Sequence, residues 1–290
     1  MPNSVTSFEL KIFTTKKTLQ QYLLKIRDLN KTIGFVPTLG ALHQGHLSLI
    51  ERAQQLNDII VCSIFVNPSQ FNDPKDLEKY PRTIEADTKM LERVNCDVLF
   101  YPAVDEIYDG NEQWHLNIGE MEHLLEGKYR PGHYQGVTQV VYKLFAIVNP
   151  DTAYFGQKDY QQFLIISKMV EHLHIPVKIV MCPILREADG LAMSSRNIHL
   201  TAEDHRHALV LSKTLNWAKD NFDGANIPKL KKEAEKIINA EPGVELDYFE
   251  IADGNTLHLA TQNSHIIVAL VAAKVGKTRL IDNVVLVDGR

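Results

Sequence analysis

Short apolar runs alternate with stretches of helical periodicity through the first 180 residues of the chain. The apolar runs are nearly continuous, which is typical of parallel strands that helices cover on both faces. This alternation predicts an α/β fold built on a doubly wound parallel sheet. The predicted strands are TIGFVP (32–37), DIIVCSIFV (58–66), CDVLFYP (96–102), DTAYFG (151–156) and VKIVMCPI (177–184). The predicted helices lie near 45–56, 83–94, 138–148 and 159–173.

The pattern changes after about residue 185. Two helical stretches come first, and three β runs follow them, which predicts a smaller α+β unit. We therefore predict two domains, residues 1–185 and residues 186–290. The helices are expected near 202–221 and 228–239, and the strands at VELDYFEI (244–251), HIIVALVAAKV (265–275) and TRLIDNVVLV (278–287).

Composition and charge limit the class of protein. Of the 290 residues, 44% are hydrophobic and 23% are charged, as in soluble globular proteins. The net charge of −5 gives no general reason to bind nucleic acid or an acidic membrane. No apolar stretch is long enough to span a membrane, and MPNSVTSFELKIF lacks the features of a signal peptide. We expect a cytoplasmic enzyme without nucleic-acid or membrane partners.

The three cysteines are placed for a structural role. Cys62, Cys96 and Cys182 each lie in or beside an apolar run. The sequence has neither a CxxC pair nor Cys/His spacing suited to a metal. We expect reduced thiols packed in a core, with neither a disulfide framework nor a structural zinc site.

The first chemical motif lies at a predicted strand-to-helix turn, FVPTLGALHQGHLSLIERA. Ligands of open α/β sheets bind where strands end, and helix N-termini offer unpaired N–H groups to anions. Gly40 and Gly45 would let the backbone approach a phosphate. His43 and His46 would point the same way on the first helical turn and donate hydrogen bonds to a triphosphate. The alternative is a capped helix with two solvent-facing histidines, but the glycines and the strand context favour a nucleotide site.

The second motif is Met-Ser-Ser-Arg within READGLAMSSRN (186–197), at the start of the smaller predicted domain. Ser194, Ser195 and Arg196 supply two hydroxyl donors and a guanidinium, which suit a pyrophosphate leaving group. The turn at Asp189 and Gly190 would let the segment close over a nucleotide. Taken alone, SSR usually means a polar turn. Paired with HxGH, it resembles the HIGH and KMSKS elements of class I aminoacyl-tRNA synthetases and related nucleotidyltransferases.

Polar side chains also follow three other apolar runs. Asn67 and Gln70 can hydrogen-bond a small polar substrate, and Lys158 is a candidate phosphate cation. Asp159 can meet a ribose hydroxyl or hold Mg²⁺ through water. Singly, each segment is equally consistent with a solvated loop, but three beside one sheet edge favour a binding site. The segments are FVNPSQF (65–71), RPGHYQGV (130–137), expected to be a loop, and FGQKDYQQ (155–162).

These segments, in this order, resemble the signature segments of the pantothenate synthetase (pantoate–β-alanine ligase) family. They run from residue 37 to 283 and so cover nearly the whole chain. The resemblance implies a Rossmann-like fold of the HIGH superfamily, a homodimer, and Mg²⁺ bound with ATP. The matching segments are PTLGALHQGH, FVNPSQF, YPRT, RPGHYQGV, FGQKDYQQ, DGLAMSSRN and TRLIDN.

The resemblance also implies roles for individual residues. Gln70 and Gln162 would bind pantoate, Gln70 would also bind β-alanine, and His46 would be the proton donor. No metal ligand is assigned, although Asp159 is the position considered for Mg²⁺. The catalytic residues would be His43, His46, Lys158, Ser194, Ser195 and Arg196. The ATP-binding residues would be Leu39, Gly40, Ala41, Leu42, His43, Gln44, Gly45, His46, Gly156, Gln157, Lys158, Asp159, Leu185, Met193, Ser194, Ser195 and Arg196.

Two positions depart from the family pattern. Leu39 stands where the family usually has methionine, a volume-conserving exchange. Gln157 stands where it usually has glutamate, which removes a charge beside Lys158 and puts in doubt any role of this side chain in metal binding.

The implied reaction is condensation of pantoate with β-alanine through a pantoyl adenylate, releasing pyrophosphate and AMP. A carboxylate nucleophile is already ionised at neutral pH, so the first step needs positioning and charge stabilisation and no general base. Three alternatives stay open: a nucleotidyltransferase that adenylates a phosphate, a tRNA synthetase, and a nucleotide-binding regulator without catalysis. The acidic charge and short chain disfavour the synthetase.

Overall fold

The computed structural model describes residues 9–110 and 112–289. The described residues form two compact units, and the prediction of a domain boundary at residue 185 stays a prediction. Residues 1–8, part of the segment considered for a signal peptide, lie outside the described residues. The first unit contains the chain up to Asn117, Gly132–Phe155 and Ile166–Cys182. The second contains Ile118–Pro131, Gly156–Ile165 and the chain from Pro183 onward.

A six-stranded sheet organises the first unit, and its strand order is β1-β4-β3-β2-β5-β6. Neighbouring strands run parallel, so the predicted doubly wound α/β sheet is confirmed. The strand order changes direction between β2 and β5, the kind of position where open α/β sheets bind ligands. The strands are β1 (Lys11–Phe13), β2 (Ile33–Thr38), β3 (Ile59–Ile64), β4 (Val98–Phe100), β5 (Thr152–Gly156) and β6 (Lys178–Cys182).

Each of the six predicted helices is present, with one correction, and the helices α1, α3, α5 and α6 were not predicted. The segment RPGHYQGV was expected to be a loop, but its second half opens a helix at His133. Gly132 caps this helix with a left-handed φ of 78°, a conformation that favours glycine. The helices are α1 (Lys16–Asp28), α2 (Gln44–Gln54), α3 (Pro74–Lys79), α4 (Ile84–Arg93), α5 (Val104–Ile107), α6 (Glu126–Tyr129), α7 (His133–Val148), α8 (Tyr160–His172), α9 (Ala202–Asp220) and α10 (Ile227–Asn239).

The sheet buries the apolar runs that predicted it. Every residue of β3 is buried, and α2 packs Leu47 and Ile50 into the same core. The predicted reduced thiols are confirmed, since all three cysteines are free and buried. Burial raises the pKa of Cys96 to about 12, so this thiol stays protonated and acts as a small apolar side chain.

An antiparallel sheet of order β7-β8-β9 forms the centre of the second unit, and the predicted α+β unit is confirmed. Along α10, Leu230, Ala234 and Ile238 recur every fourth residue and join the apolar core of this sheet. The strands are β7 (Val244–Asp253), β8 (Ile266–Val275) and β9 (Thr278–Asp288). None of the helices in the described residues has both the length and the apolar character that crossing a membrane requires.

Candidate active site

The HxGH segment forms a reciprocal cap at the start of α2. His43 is the N-cap residue, with extended backbone, and its Nδ1 accepts a hydrogen bond from Gly45 N at 3.1 Å. His46 in the first turn accepts one from His43 N at 3.3 Å, through its own Nδ1. The ring centroids lie 4.1 Å apart. The rings are therefore neighbours, as predicted, although His43 precedes the helix instead of lying on its first turn.

This cap fixes which nitrogen of each histidine carries a proton. Because both Nδ1 atoms accept hydrogen bonds, the neutral rings carry their protons on Nε2. Both side chains are half-buried. Two adjacent Nε2–H donors, held by the backbone that they cap, suit the stabilisation of charge on phosphate oxygens.

A buried carboxylate holds the loop that leads into this cap. Asp87 on α4 is 2% exposed and accepts hydrogen bonds from Ala41 N at 3.0 Å and Leu42 N at 2.8 Å. The Thr83 hydroxyl also donates to it, at 3.1 Å. Gly40 and Ala41 have left-handed φ angles of 84° and 49°, which are costly for alanine. Charge-assisted hydrogen bonds to two consecutive N–H groups offset that cost.

The same bonds revise the expected main-chain contribution to anion binding. Gly40 N donates to Thr38 Oγ1 at 3.2 Å and is therefore already paired. The other paired N–H groups of the loop belong to Ala41, Leu42, His43 and Gly45. The helix start thus offers fewer unpaired N–H groups than the sequence predicted, and the imidazoles become the main donors of this segment.

A cavity of about 230 Å³ borders the same loop in the first unit. Leu39, Gly40 and Asp87 line one part of it, and Tyr101 and Val104 line another. Gln70 and the two histidines do not line it. The cavity is therefore bordered by two of the predicted ATP-binding residues, Leu39 and Gly40, but not by the side chains that were predicted to bind the acid or to donate to phosphates.

Gln70 ends a short 3-10 turn at Pro68–Gln70, and its side chain is held from inside the protein. Asn67 caps the turn by accepting a hydrogen bond from Ser69 N at 3.4 Å. The Nδ2 of Asn67 donates to Gln70 Oε1 at 3.1 Å. Asn67 is fully buried, whereas Gln70 is 8% exposed. Asn67 therefore supports Gln70 and does not face a substrate itself.

The RPGHYQGV segment supports this turn from α7. His133, 4% exposed, donates from Nδ1 to the carbonyl oxygen of Gln70 at 2.8 Å. The carbonyl oxygen of Gly136 accepts a hydrogen bond from Asn67 Nδ2 at 3.1 Å. A Cβ atom at Gly136 would lie 2.3 Å from the carbonyl oxygen of Ser69, so only glycine permits this approach.

Lys158 lies in the second unit, in a 3-10 turn at Gln157–Asp159 that follows β5. Asn283 on β9, 1% exposed, donates from Nδ2 to the carbonyl oxygens of Gln157 at 2.9 Å and Lys158 at 3.0 Å. Gln157 Nε2 donates back to Asn283 Oδ1 at 3.1 Å. Here glutamine rather than the family's usual glutamate fits the contact, because a carboxylate would oppose the Asn283 oxygen.

The electrostatics of this turn centre on Lys158. Burial lowers the pKa of its ammonium group, the carboxylates of Asp159 and Asp282 act in the opposite direction, and Arg196 lowers it further. Lys158 and Arg196 therefore influence each other as neighbouring cations in one unit. Two partly desolvated cations suit a polyanion such as a polyphosphate.

The Met-Ser-Ser-Arg segment is held by local hydrogen bonds. Met193 N donates to the carbonyl oxygen of Leu185 at 3.0 Å. Ser194 caps the 3-10 turn Ser195–His199 by accepting a hydrogen bond from Arg196 N at 3.2 Å. Met193, Ser194, Ser195 and Arg196 are half-buried. The segment presents the predicted hydroxyl and guanidinium groups from a defined turn.

Strand β9 supports both cationic segments of the second unit. Arg186, seven residues before Met193, forms a bidentate ion pair with Asp282 at 2.7 and 3.0 Å. Asp282 is 4% exposed and precedes Asn283, which holds the lysine turn. Asp282 and Asn283 both come from TRLIDN, the last of the segments that carry the resemblance. Adjacent β9 residues therefore position the turn of Lys158 and the base of the Met-Ser-Ser-Arg segment.

A histidine and two carboxylates lie beside this segment. His205 Nε2 lies 2.7 Å from Asp189 Oδ2, and Glu187 Oε1 accepts a hydrogen bond from Asn197 Nδ2 at 2.7 Å. Glu187, Asp189 and His205 are the one group of potential metal ligands within 4.8 Å of each other in the described residues. Asp159, the position considered for Mg²⁺, is exposed and lies outside this group.

Two adjacent glutamines on α8 have different surroundings. Gln161, 3% exposed, accepts a hydrogen bond from Glu126 N and donates to the carbonyl oxygens of Met121 and Leu124. Gln162 is half-buried, and among the described residues its amide has no hydrogen-bond partner. Gln161 is thus structural, and Gln162 keeps the capacity for a ligand that the resemblance implied.

Sequence reasoning missed several residues that support the site. Asp87, Gly136 and Asn283 contact predicted site residues, and Asp282 pairs with Arg186 before the Met-Ser-Ser-Arg segment, but none of these four was singled out. A partial signal was present, since Gly136 lies in RPGHYQGV and both β9 residues lie in TRLIDN. Asp87 follows YPRT by four residues and had no signal of its own.

Comparison with known proteins identifies the family. A family model described as Pantoate-beta-alanine ligase matches residues 11–285, nearly the whole chain. The chain belongs to the pantoate–β-alanine ligase family. The predicted resemblance and the predicted class of enzyme, a ligase, are both confirmed.

Individual members of the pantoate–β-alanine ligase family are similar over their full lengths. A pantothenate synthetase of Azobacteroides pseudotrichonymphae genomovar. CFP2 is 46% identical over 278 residues, which are 95% of this chain and 99% of that protein. The solved pantothenate synthetase of Thermus thermophilus is 39% identical with a TM-score of 0.90, covering 96% of this chain and 99% of its own.

A solved family member also has bound ligands. The pantoate–β-alanine ligase of Francisella tularensis, complexed with Beta-gamma ATP and Beta-alanine, is 36% identical with a TM-score of 0.80. The alignment covers 96% of this chain and 98% of that one. The Rossmann-like fold with a smaller C-terminal unit is therefore shared with solved members of the family.

Proposed function

We propose that this ligase joins pantoate to β-alanine in two steps through a pantoyl adenylate. In the first, a pantoate carboxylate oxygen attacks the α-phosphorus of ATP, and the bond to the β-phosphate oxygen breaks to release pyrophosphate. In the second, the β-alanine amine attacks the acyl carbon, and the bond to the AMP oxygen breaks. The observation that carries the proposal is the reciprocal cap of His43 and His46, which holds two Nε2–H donors side by side.

The first step requires stabilisation of charge that moves onto the leaving pyrophosphate. His43 and His46 supply Nε2–H donors. Lys158 and Arg196 supply cations, and Ser194 and Ser195 supply hydroxyl donors. Positioned donors of this kind contribute about 10²–10³-fold each when they stabilise a transition state.

The acid is proposed to bind at Gln70 and Gln162, with Gln70 also near β-alanine. Gln70 is held by Asn67 and His133, and Gln162 has no competing partner in the described part of the chain. Both amides can donate hydrogen bonds to carboxylate or hydroxyl oxygens. The proton that leaves the β-alanine amine is not assigned to a side chain.

Mg²⁺ is proposed to enter with ATP and to be held mainly by phosphate oxygens. The exposed carboxylate of Asp159 offers the kind of oxygen ligand that this ion prefers, directly or through water. When bound, the ion would neutralise phosphate charge. In this turn only the carboxylate of Asp159 can serve the ion, and the adjacent Lys158 would act on the phosphates instead.

Exchange of labelled pyrophosphate into ATP tests both the substrate and the intermediate. We expect exchange that depends on pantoate, and free AMP after β-alanine is added. Gln70→Ala should raise the KM for pantoate and leave the KM for ATP nearly unchanged. ATP binding without pantoate-dependent exchange would refute the assignment and favour a regulator. Retention of AMP in the product would indicate a nucleotidyltransferase.

The homodimer is also a proposal, based on the family resemblance. Size-exclusion chromatography with light scattering measures the mass directly. A mass of about twice the 32.9 kDa chain is the expected result, and a monomer across the working concentrations would contradict it. The cytoplasmic location stays a prediction.

A further inference from the structure

Tyr108 is outside every motif that predicted the site, yet its hydroxyl reaches the centre of the Gln70 support. It follows α5, and its hydroxyl donates to Asn67 Oδ1 at 2.7 Å. This is the shortest hydrogen bond that Asn67 makes. The Ser69 hydroxyl lies 3.1 Å from the same Oδ1 atom and 3.2 Å from the Tyr108 oxygen.

The Asn67 amide has one orientation that satisfies its surroundings. Its Nδ2 faces the carbonyl oxygen of Gly136, which can only accept, and its Oδ1 faces Ser69 N, which can only donate. If the amide were reversed, two acceptors would face each other at the Gly136 contact and two donors would face each other at the Ser69 contact. Since Asn67 is 0% exposed, water cannot substitute for either partner.

This orientation in turn fixes the amide of Gln70. Asn67 Nδ2 can only donate, so the Gln70 atom that it contacts at 3.1 Å is the acceptor Oε1. The Nε2 of Gln70 is therefore directed away from Asn67. No acceptor for it occurs among the described residues, although Gln70 is only 8% exposed. A nearly buried donor without a protein acceptor suits a ligand oxygen.

We infer that Tyr108 is a positioning residue: through Asn67 it holds Gln70 so that its Nε2–H₂ group donates to a carboxylate or hydroxyl oxygen of the acid substrate. This inference rests on the proposed function in that Gln70 binds pantoate. It also states which atom of Gln70 makes the contact: the Nε2 group donates to the substrate, because Oε1 already accepts from Asn67. It also adds a residue that the motifs did not contain.

The surroundings of Tyr108 support a fixed hydroxyl donor. Burial raises the pKa of the phenol, so it stays protonated at neutral pH. The ring lies 6.3 Å from that of Phe65, and Lys143 Nζ lies 5.4 Å from the ring centroid. Lys143 also pairs with Glu112. A phenylalanine at this position would keep these ring contacts and lose only the hydrogen bonds.

The first test is Tyr108→Phe with Tyr142→Phe as the matched control. Tyr142 lies on α7, packs its ring at 5.1 Å from Trp114, and makes no hydrogen bond through its hydroxyl in the described structure. For Tyr108→Phe we expect the KM for pantoate to rise about 10-fold, the effect of one buried hydrogen bond. The KM for ATP and kcat should stay within about 2-fold. The control should leave all three constants unchanged.

A double-mutant cycle tests whether Tyr108 acts through Asn67. In an Asn67→Ala background, Tyr108→Phe should have no further effect on the KM for pantoate, because the acceptor is gone. Equal effects of about 10-fold in both backgrounds would mean an independent structural role and overturn the inference. An additional variant, Asn67→Asp, keeps the acceptor for Tyr108 but removes the donor to Gln70. It should raise the KM for pantoate more than Tyr108→Phe does.

The outcomes separate the inference from the proposed function. If the wild-type chain shows no pantoate-dependent exchange, the proposed function is wrong and the role of Tyr108 fails with it. If exchange is normal and Tyr108→Phe equals its control, only the role of Tyr108 is wrong. If Tyr108→Phe is poorly folded by circular dichroism, the Asn67→Asp variant decides: an unchanged KM for pantoate would overturn the inference.

Discussion

The two paired motifs of this ligase are held in opposite ways. The HxGH loop is locked by the buried carboxylate of Asp87 and by two imidazoles that bond the main chain beneath them. The base of the Met-Ser-Ser-Arg segment is anchored to β9 by the pair of Arg186 and Asp282. Beyond that base, the segment depends on short-range caps and on the half-exposed pair of Asp189 and His205. Exposed ion pairs contribute about 0–1 kcal/mol, far less than buried charged hydrogen bonds. The first motif is therefore preorganised, and the second can be displaced at small cost.

The largest expected effect tests the locked motif. His46→Ala removes an Nε2–H donor and the partner of the His43 N–H group. Turnover should fall by about 10²-fold or more, the effect of losing one preorganised donor. Pyrophosphate exchange measures it, with the exposed His172→Ala as control. Near-wild-type turnover in a folded His46→Ala variant would contradict the donor role.

Lys158→Met tests the cations that are proposed to act on the phosphates. Activity should fall by about 10²-fold, since a phosphate cation is lost. Burial lowers the Lys158 pKa, so the folded chain bears a cost for the charged form. That cost is present below the lowered pKa and disappears above the ordinary lysine pKa. The variant should therefore melt at higher temperature than wild type near neutral pH, and the difference should shrink as pH rises.

The control for that experiment is Lys178→Met, at an exposed position on β6. It should change neither exchange nor the pH dependence of melting. A Lys158→Met variant that melts below wild type near neutral pH would show that the ion pairs around Lys158 outweigh its desolvation. Such a result would mean that the charged form of Lys158 stabilises the folded chain.

A smaller effect is expected when the lock itself is weakened. Asp87→Asn is isosteric, but its amide group opposes one of the two N–H groups that the carboxylate accepts. Turnover should fall about 10-fold, and stability should decrease by about 1.5–3 kcal/mol, the contribution of a charged hydrogen bond. Denaturant unfolding and exchange measure the two effects, with Asp105→Asn as exposed control. Unchanged turnover would mean that the function of the HxGH loop does not depend on the hydrogen bonds from its main chain to Asp87.

The smallest effect is expected from the pair of Asp189 and His205 beside the Met-Ser-Ser-Arg segment. The hydrogen bond from His205 lowers the pKa of Asp189. This hydrogen bond therefore stabilises the fold above the ordinary aspartate pKa, and the stabilisation is lost as pH falls through the lowered value. Asp189→Asn should therefore change exchange at neutral pH by less than about 3-fold. Exchange rates of the variant and of the wild type, compared from about pH 4 to about pH 8, measure the effect. A loss as large as that of Asp87→Asn would remove the contrast between the motifs.

Much of the fold could be predicted because the sheet is buried on both faces. Strands such as β3 are apolar at every position but one, so their runs are visible in the sequence. The start of α7 was missed because its first buried residue is a histidine, and polar letters do not reveal burial. β1 has only three residues, two of them exposed, and gains its strand character from pairing with β4.

The site was predicted at its motifs but not at its supports. His43 and His46 are three residues apart, and their local spacing carries the prediction. Asp87 supports the same loop from 46 residues away, on a helix whose buried position holds a charged residue. The sequence also could not tell which of Gln161 and Gln162 is structural. That depends on which face of α8 meets the carbonyl oxygens of residues 121 and 124.

The Asn283 contact links catalysis to the order in which the chain is made. Asn283 holds the carbonyl oxygen of Lys158 from 125 residues further along the sequence. During synthesis the large sheet can form early, while the lysine turn lacks its support until β9 has left the ribosome. A nascent or shortened chain that ends before β9 would therefore have the histidine cap but an unsupported cation. Activity in this ligase should appear only as the final strand pairs.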